Sequence, residues 1–135
     1  MKQETIKKAV KVINRSIKYY QRKLTYQLEL RAESELLNNK NLKFKSFEDF
    51  EGNIKKYEII LTDLATIKRA IKNNKESVEI CGTDFSRGYI YDETQEVLNK
   101  AGFDIDGDGY GLIYLFEKDW VEGTPESWSI YEEGW

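Results

Sequence analysis

The chain has 135 residues, of which 40% are hydrophobic and 33% are charged, and its formal net charge is −3. This length predicts one domain, and nine Tyr, six Phe and three Trp are enough for a hydrophobic core, which excludes wholesale disorder. The single cysteine, Cys81, excludes an internal disulfide and indicates a reducing compartment. No apolar run approaches the roughly 20 residues of a membrane span, and no signal peptide is predicted. We therefore expect a cytoplasmic protein without a membrane partner.

The net charge conceals a strong asymmetry along the chain. Residues 1–75 contain 18 of the 21 Lys and Arg and nine of the 24 Asp and Glu, a formal charge of +9. Residues 76–135 contain three bases and 15 acids, a formal charge of −12, and also all three tryptophans. We therefore divide the chain into a basic half, residues 1–75, and an acidic, aromatic half, residues 76–135, within one compact domain.

The basic half predicts a first long helix. Apolar residues recur every three or four positions from Ile6 to Leu28, which predicts a helix over residues 3–38. Residues 24–31 also alternate between apolar and polar as a strand does, so helix and strand both stay open for this stretch. The Asn-rich cluster 38–41 predicts a turn that returns the chain antiparallel.

A second apolar seam predicts a second helix. It begins at Ser46, with Asp49 completing a capping box, and ends before the cluster 73–75. An alternative makes residues 57–61 a strand and begins a shorter helix at Thr62. Two long antiparallel helices form a basic helical hairpin, whose apolar stripe needs another layer to cover it.

The acidic half predicts a small sheet and one short helix. Residues 77–82 alternate as a short strand, and residues 89–91 predict a second one. Asp92 is expected to be the N-cap of a helix over residues 93–100, and Gly102 is expected to end that helix.

The remainder of this half begins with a predicted acidic turn over residues 104–109. Residues 110–116 follow as the strongest strand pattern in the chain, and because the run is continuously apolar we expect both faces to be covered. The tail, residues 117–135, contains the three tryptophans and is expected to fold back onto the body. The fold class is therefore α+β: a long N-terminal antiparallel helical hairpin packed against a small antiparallel β-sheet with one short helix.

Several kinds of chemistry are excluded by the residue types present. With no histidine and one cysteine, the chain has no Ser-His-Asp or Cys-His arrangement and no usual structural zinc site. Neither of the glycine-rich nucleotide-binding motifs GxxxxGK[ST] and GxGxxG occurs. Pairs of carboxylates could act as acid and base, but any acidic protein contains such pairs. We therefore expect a protein with neither enzymatic activity nor a cofactor.

Residues 104–109 resemble the first half of an EF-hand calcium loop. Asp104, Asp106 and Asp108 occupy its first, third and fifth positions, and Gly109 occupies the sixth. The second half departs from that pattern, because Leu115 stands where the bidentate glutamate belongs. Asp-Gly is also a standard turn pair. We favour the turn and keep a weak calcium site as the alternative.

The predicted first helix carries a row of basic residues. This row could bind nucleic acid, could be an ordinary solvated surface, or could neutralise the acidic half. We favour the last two, because the aromatic residues that would stack on bases lie mostly in the acidic half. A nucleic-acid-binding module is therefore the alternative function, and a calcium-binding or structural assembly protein is the second alternative. The apolar seams also allow a homodimer. The residues of this row are Lys7, Lys8, Lys11, Arg15, Lys18 and Arg22.

The acidic half has the composition of a protein-binding surface. Carboxylates steer the encounter with a basic partner, and aromatic side chains anchor it. A special case is a mimic of nucleic-acid phosphates that occupies a basic groove, as small phage or mobile-element inhibitors of the anti-CRISPR and anti-restriction kind do. We expect such an inhibitor, acting on a nucleic-acid-handling enzyme such as a CRISPR or restriction nuclease. The expected partner-binding residues are Asp84, Asp92, Glu93, Asp104, Asp106, Asp108, Tyr110, Asp119, Trp120 and Glu122.

Overall fold

A computed structural model of the chain describes residues 1–44, 49–80 and 89–118. The predicted fold class is confirmed: a long helical hairpin is combined with a three-stranded antiparallel sheet and one short helix. The elements in chain order are α1 (Gln3–Asn39), α2 (Phe50–Lys72), β1 (Ser77–Glu79), α3 (Asp92–Lys100), β2 (Phe103–Gly107) and β3 (Leu112–Glu117).

The three helices end where turn residues predicted that they would. Each end is followed by a residue with positive φ: Asn41 at 58°, Asn74 at 56° and Gly102 at 105°. Asn and Gly adopt this left-handed conformation at the lowest cost. After α1, the Leu42 N–H donates to the Leu37 carbonyl at 2.8 Å and closes a Schellman turn. The two Asn clusters are therefore helix ends: the first precedes the connection from α1 to the antiparallel α2, and the second leads from α2 into β1.

The ambiguous stretches of the basic half are both helical. Residues 24–31 lie within α1, and residues 57–61 lie within α2, so neither forms a strand. The predicted capping box is wrong, because Asp49 is itself the N-cap: its carboxylate accepts from the Gly52 N–H at 3.0 Å. Ser46 lies outside the described residues.

The sheet has the order β1-β3-β2, with both pairs antiparallel. The predicted acidic turn is wrong in its first part, because β2 extends through Gly107 and pairs along β3 from Phe103–Glu117 to Gly107–Ile113. The turn itself occupies residues 108–111. Asp104 and Asp106 are tolerated in this strand because their side chains face solvent. On an exposed strand face, the preference for a residue type depends on the neighbouring side chains more than on the backbone.

The segment before α3 also differs from the prediction. Residues 89–91 do not form a strand, and Tyr91 rather than Asp92 is the N-cap of α3, with an extended backbone at φ −64° and ψ 153°. Asp92 is the first helical residue, where its negative charge suits the positive end of the helix.

One hydrophobic core joins the two halves of the chain. It contains Ile13 of α1, Leu64 of α2, Leu98 of α3 and Phe103 of β2, all fully buried. On β3 the side chains alternate, so Ile113 and Leu115 are buried while Tyr114 and Phe116 are exposed. The prediction that both faces of this strand are covered is therefore wrong. The expected return of the tryptophan-containing tail falls on residues 119–135, outside the described residues.

Candidate binding face of the sheet

The side of the sheet that faces away from the core carries acids and aromatic rings. We call this surface the open face and define it by Glu79 of β1, Asp104 and Asp106 of β2, and Tyr114 and Phe116 of β3, all five of which are exposed. Tyr114 is 39% exposed and Phe116 54%. Exposed rings beside carboxylates are the composition of an interface centre and its rim.

The strand register pairs each ring with a carboxylate. Asp106 lies directly opposite Tyr114, and Asp104 lies directly opposite Phe116. Side chains in such positions have Cβ atoms about 4.5–5.5 Å apart. The open face therefore contains two similar acid–ring pairs, one after the other along the strands.

The charge of the open face is negative. Its three carboxylates have one neighbouring ammonium, that of Lys118, among the described residues of this surface. The Lys118 Nζ lies 3.9 Å from the Asp104 carboxylate and donates to the Asn99 carbonyl at 3.2 Å. An ion pair at that distance with a carboxylate that is 71% exposed contributes little free energy, so Asp104 can exchange it for a stronger contact.

Asp108 has a different role from Asp104 and Asp106. Its carboxylate accepts from the Tyr110 N–H at 2.7 Å and from the Leu112 N–H at 3.2 Å, inside the turn that joins β2 to β3. Gly109, with φ 79°, completes this turn. The turn interpretation therefore holds for Asp108, and the Tyr110 side chain, 91% exposed, lies at its tip beyond the strands.

Tyr89 covers the outer edge of β2. Its hydroxyl donates to the Ile105 carbonyl at 3.4 Å, and its ring packs so closely over Gly107 that an added Cβ there would lie 2.5 Å from it. Asp106 accepts from the Gly107 N–H at 2.9 Å on the same edge. Burial, with the nearby Asp106 charge, raises the pKa of the Tyr89 hydroxyl. The backbone at this edge is thus partly covered against a further strand.

The other predicted partner-binding residues do not join the open face. Asp92 and Glu93 lie on α3, which packs on the core side of the sheet, and Glu93 forms an ion pair with Lys56 of α2. That ion pair raises the pKa of the Lys56 ammonium, which also lies 5.5 Å from the centroid of the Tyr91 ring. Asp84, Asp119, Trp120 and Glu122 lie outside the described residues.

Sequence reasoning missed Tyr114 and Phe116 as surface residues. The signal that could have found them is the pairing partner of their strand: β2 alternates Phe103 and Ile105 with two aspartates, which is the pattern of a strand with one solvated face. A strand with a continuous apolar run that pairs with such a strand places every second side chain on the same solvated face.

The basic residues of the alternative function form one stripe on α1. Successive helical residues are about 100° apart around the axis, so all six fall within roughly 100° of arc, opposite the buried residues Ala9 and Ser16. We call this set the basic stripe: Lys7, Lys8, Lys11, Arg15, Lys18 and Arg22. Lys8 is paired with Glu4 at 3.0 Å. The basic stripe and the open face thus both point away from the core, on different elements.

The calcium alternative requires Asp104, Asp106 and Asp108 to lie in one loop. Asp104 and Asp106 lie on a strand rather than in a loop, and within residues 1–44, 49–80 and 89–118 no group of three His, Cys, Asp or Glu side chains converges to hold a metal ion. Over the same ranges, no helix combines the length and the apolar composition that crossing a membrane requires.

Comparison with known proteins gave no relative of this chain. No protein-family model matches it, and neither a curated protein nor a solved structure shows significant similarity to it.

Proposed function

We propose that this chain is a non-enzymatic interaction protein whose open face docks on a basic, nucleic-acid-binding groove of a partner protein. The observation that carries the proposal is the pairing of exposed carboxylates with exposed rings on one face of the sheet. Charge steers the encounter and sets the orientation, while the rings supply apolar area that is desolvated on contact.

The mechanism of such a protein is occlusion. Asp104 and Asp106 take the places of phosphates in the groove, and the two rings take the places of stacked bases. A CRISPR or restriction nuclease is the class of partner that we propose, because its substrate channel is basic along its length. No bond is made or broken, so the effect on the partner is competitive with nucleic acid.

The dimensions of the open face bound the affinity. Three strands at about 4.8 Å spacing and a β3 length of about 20 Å give an area of a few hundred Å². That is less than the roughly 800 Å² per partner of a standard interface. We therefore expect the open face alone to bind a basic peptide with micromolar affinity.

The first test measures the anisotropy of a fluorescein-labelled oligo-arginine peptide with the whole chain across a salt series. We compare wild type with Asp104→Asn/Asp106→Asn, which keeps the side-chain shape and the acceptor of the Gly107 N–H. We expect at least about a tenfold loss of affinity, since a charged hydrogen bond contributes about 1.5–3 kcal/mol and about 1.4 kcal/mol is tenfold.

The matched control for this test is Glu33→Gln/Glu35→Gln, which removes the same charge from exposed positions on α1. If both double variants weaken binding equally, net charge rather than the open face explains the interaction, and the proposal is wrong. Competition then tests occlusion: the chain should displace labelled double-stranded DNA from a purified nuclease of the proposed classes, and the Asp104→Asn/Asp106→Asn variant should not.

The alternative function rests on the alignment of the basic stripe along one side of α1. If the stripe binds nucleic acid, labelled DNA alone will bind to the chain with steep salt dependence. Lys7→Gln/Lys18→Gln should then weaken that binding and lower its salt dependence, whereas Asp104→Asn/Asp106→Asn should strengthen it. Absence of DNA binding at low salt would remove this alternative.

A further inference from the structure

We propose that the open face recognises an extended segment with arginines at alternate positions, Arg-x-Arg, as the basic element of its partner. This inference rests on the proposed function and specifies its partner chemistry. It starts from the two acid–ring pairs, Asp106 with Tyr114 and Asp104 with Phe116, which the strand register places in consecutive rows of the sheet.

The spacing of the two pairs fits an extended chain. Side chains two residues apart on one strand are separated by about 6.8 Å, and an extended peptide places its alternate side chains at the same distance. A peptide lying along β3 therefore stays in register from one pair to the next, and further to the row of Glu79 and Leu112. A helix repeats every 5.4 Å and loses this register after one step.

The chemistry of each pair favours a guanidinium over an ammonium. A planar guanidinium can stack on a ring while it donates two parallel hydrogen bonds to a carboxylate. The exposed fractions of Tyr114 and Phe116 leave ring surface for this stacking, and a ring and a carboxylate at neighbouring cross-strand positions are within reach of one Arg side chain. A lysine ammonium is a point charge, so it interacts well with either the ring or the carboxylate of a pair, but not with both at once.

The covered edge of β2 supports recognition through side chains. The Tyr89 hydroxyl on the Ile105 carbonyl and the Tyr89 ring over Gly107 obstruct the addition of a partner strand there. The segment therefore lies along β3 on the open face instead of extending the sheet beyond β2. When it binds, an arginine competes with Lys118 for Asp104, because the existing ion pair is long, at 3.9 Å, and the Asp104 side chain is 71% exposed.

The test measures the binding of labelled peptides to the whole chain by anisotropy, and the first three peptides have identical composition. One has arginines at alternate positions, one has them adjacent in a block, and one is a helical peptide with arginines four residues apart. A fourth replaces each arginine of the alternating peptide by lysine. We expect the alternating arginine peptide to bind at least about tenfold more tightly than each of the others.

Variants separate the rings from the charge. Tyr114→Leu/Phe116→Leu keeps apolar side chains but removes the ring faces, so it should lower the preference for arginine over lysine to within about twofold. The control is Tyr26→Leu, which removes an exposed ring from α1 and should keep the preference. Unchanged melting temperatures establish that both variants are folded.

Each other outcome refutes a defined part of the reasoning. Equal binding of the alternating and the block peptides would overturn the spacing inference while the proposed function stands. Tightest binding of the helical peptide would show that the segment is not extended. If none of the peptides binds at low salt, the proposed function itself fails.

Discussion

Replacing Glu117 tests how the far end of the sheet holds the start of α1. Lys2, the N-cap residue of α1, has no side-chain acceptor to offer the first helical N–H groups. The Glu117 carboxylate, at the end of β3, instead accepts from the Lys2 N–H at 3.1 Å and from the Thr5 hydroxyl at 2.8 Å. A negative charge at this position also suits the positive end of the helix.

The expected cost follows from those contacts. Hydrogen bonds to a charged group contribute about 1.5–3 kcal/mol each, and a partly buried charge at a helix terminus contributes up to about 2 kcal/mol. Because the Glu117 side chain is 20% exposed and the Lys2 contact is at the surface, we take the lower end. Glu117→Ala should cost about 2 kcal/mol, and Glu117→Gln, which keeps an acceptor oxygen, about 1 kcal/mol.

The assay is thermal and urea unfolding followed by circular dichroism. For a domain of this size, 1 kcal/mol corresponds to about 3–4 °C in melting temperature, so Glu117→Ala should melt roughly 7 °C lower. Glu33→Ala, an exposed acid on α1, is the control and should change stability by less than about 0.5 kcal/mol. A double-mutant cycle with Thr5→Val should give a coupling of at least about 0.5 kcal/mol. A melting temperature of Glu117→Ala within about 1 °C of wild type would refute the reasoning.

Three further substitutions test the interior and the sheet edge. The Thr94 hydroxyl is buried and has no hydrogen-bond partner in the described part of the chain. Thr94→Val should therefore raise the free energy of unfolding by about 1 kcal/mol. A lower free energy of unfolding in urea denaturation would contradict this prediction. Burial, with the nearby Glu93 charge, raises the pKa of Tyr20 above its ordinary value of about 10. The unfolded state therefore loses the Tyr20 proton at a lower pH than the folded state, so the free energy of unfolding falls as pH rises above about 10. Tyr20→Phe should reduce this pH dependence of the free energy of unfolding. An unchanged pH dependence would show that Tyr20 is not its source. Gly107→Ala should cost about 1–2 kcal/mol in urea unfolding because the Tyr89 ring must move, and little cost would show that the ring moves freely.

The helical part of the fold was predictable because its signals are local. The period of the apolar residues located α1 and α2, and the residues that adopt positive φ, Asn41 and Asn74, marked their ends. The start of α2 was predicted three residues too early, with Ser46 as the N-cap instead of Asp49. Both residue types are good N-caps, and which of them begins the helix depends on how the preceding loop approaches.

The sheet was harder to predict because its signals depend on neighbours. The sequence Asp104 to Asp108 suggested a turn, and only its pairing with β3 makes the first part a strand. The exposure of Tyr114 could not be read from a continuous apolar run, which fits a strand with one covered face or two. The Glu117 contact joins residues more than 100 positions apart, so no local pattern could indicate it. Of the five residues that define the open face, the sequence therefore suggested Asp104 and Asp106 but not Glu79, Tyr114 or Phe116.

The alternation along β3 has a consequence for how this protein can change over generations. Ile113 and Leu115 hold the core, while Tyr114 and Phe116, between them, contribute to the open face. Positions that maintain the fold and positions that would contact a partner under the proposed function are thus interleaved but separate. Substitutions at the exposed positions are expected to cost little folding free energy. If the open face binds as proposed, its specificity can change over generations while the buried positions keep the architecture.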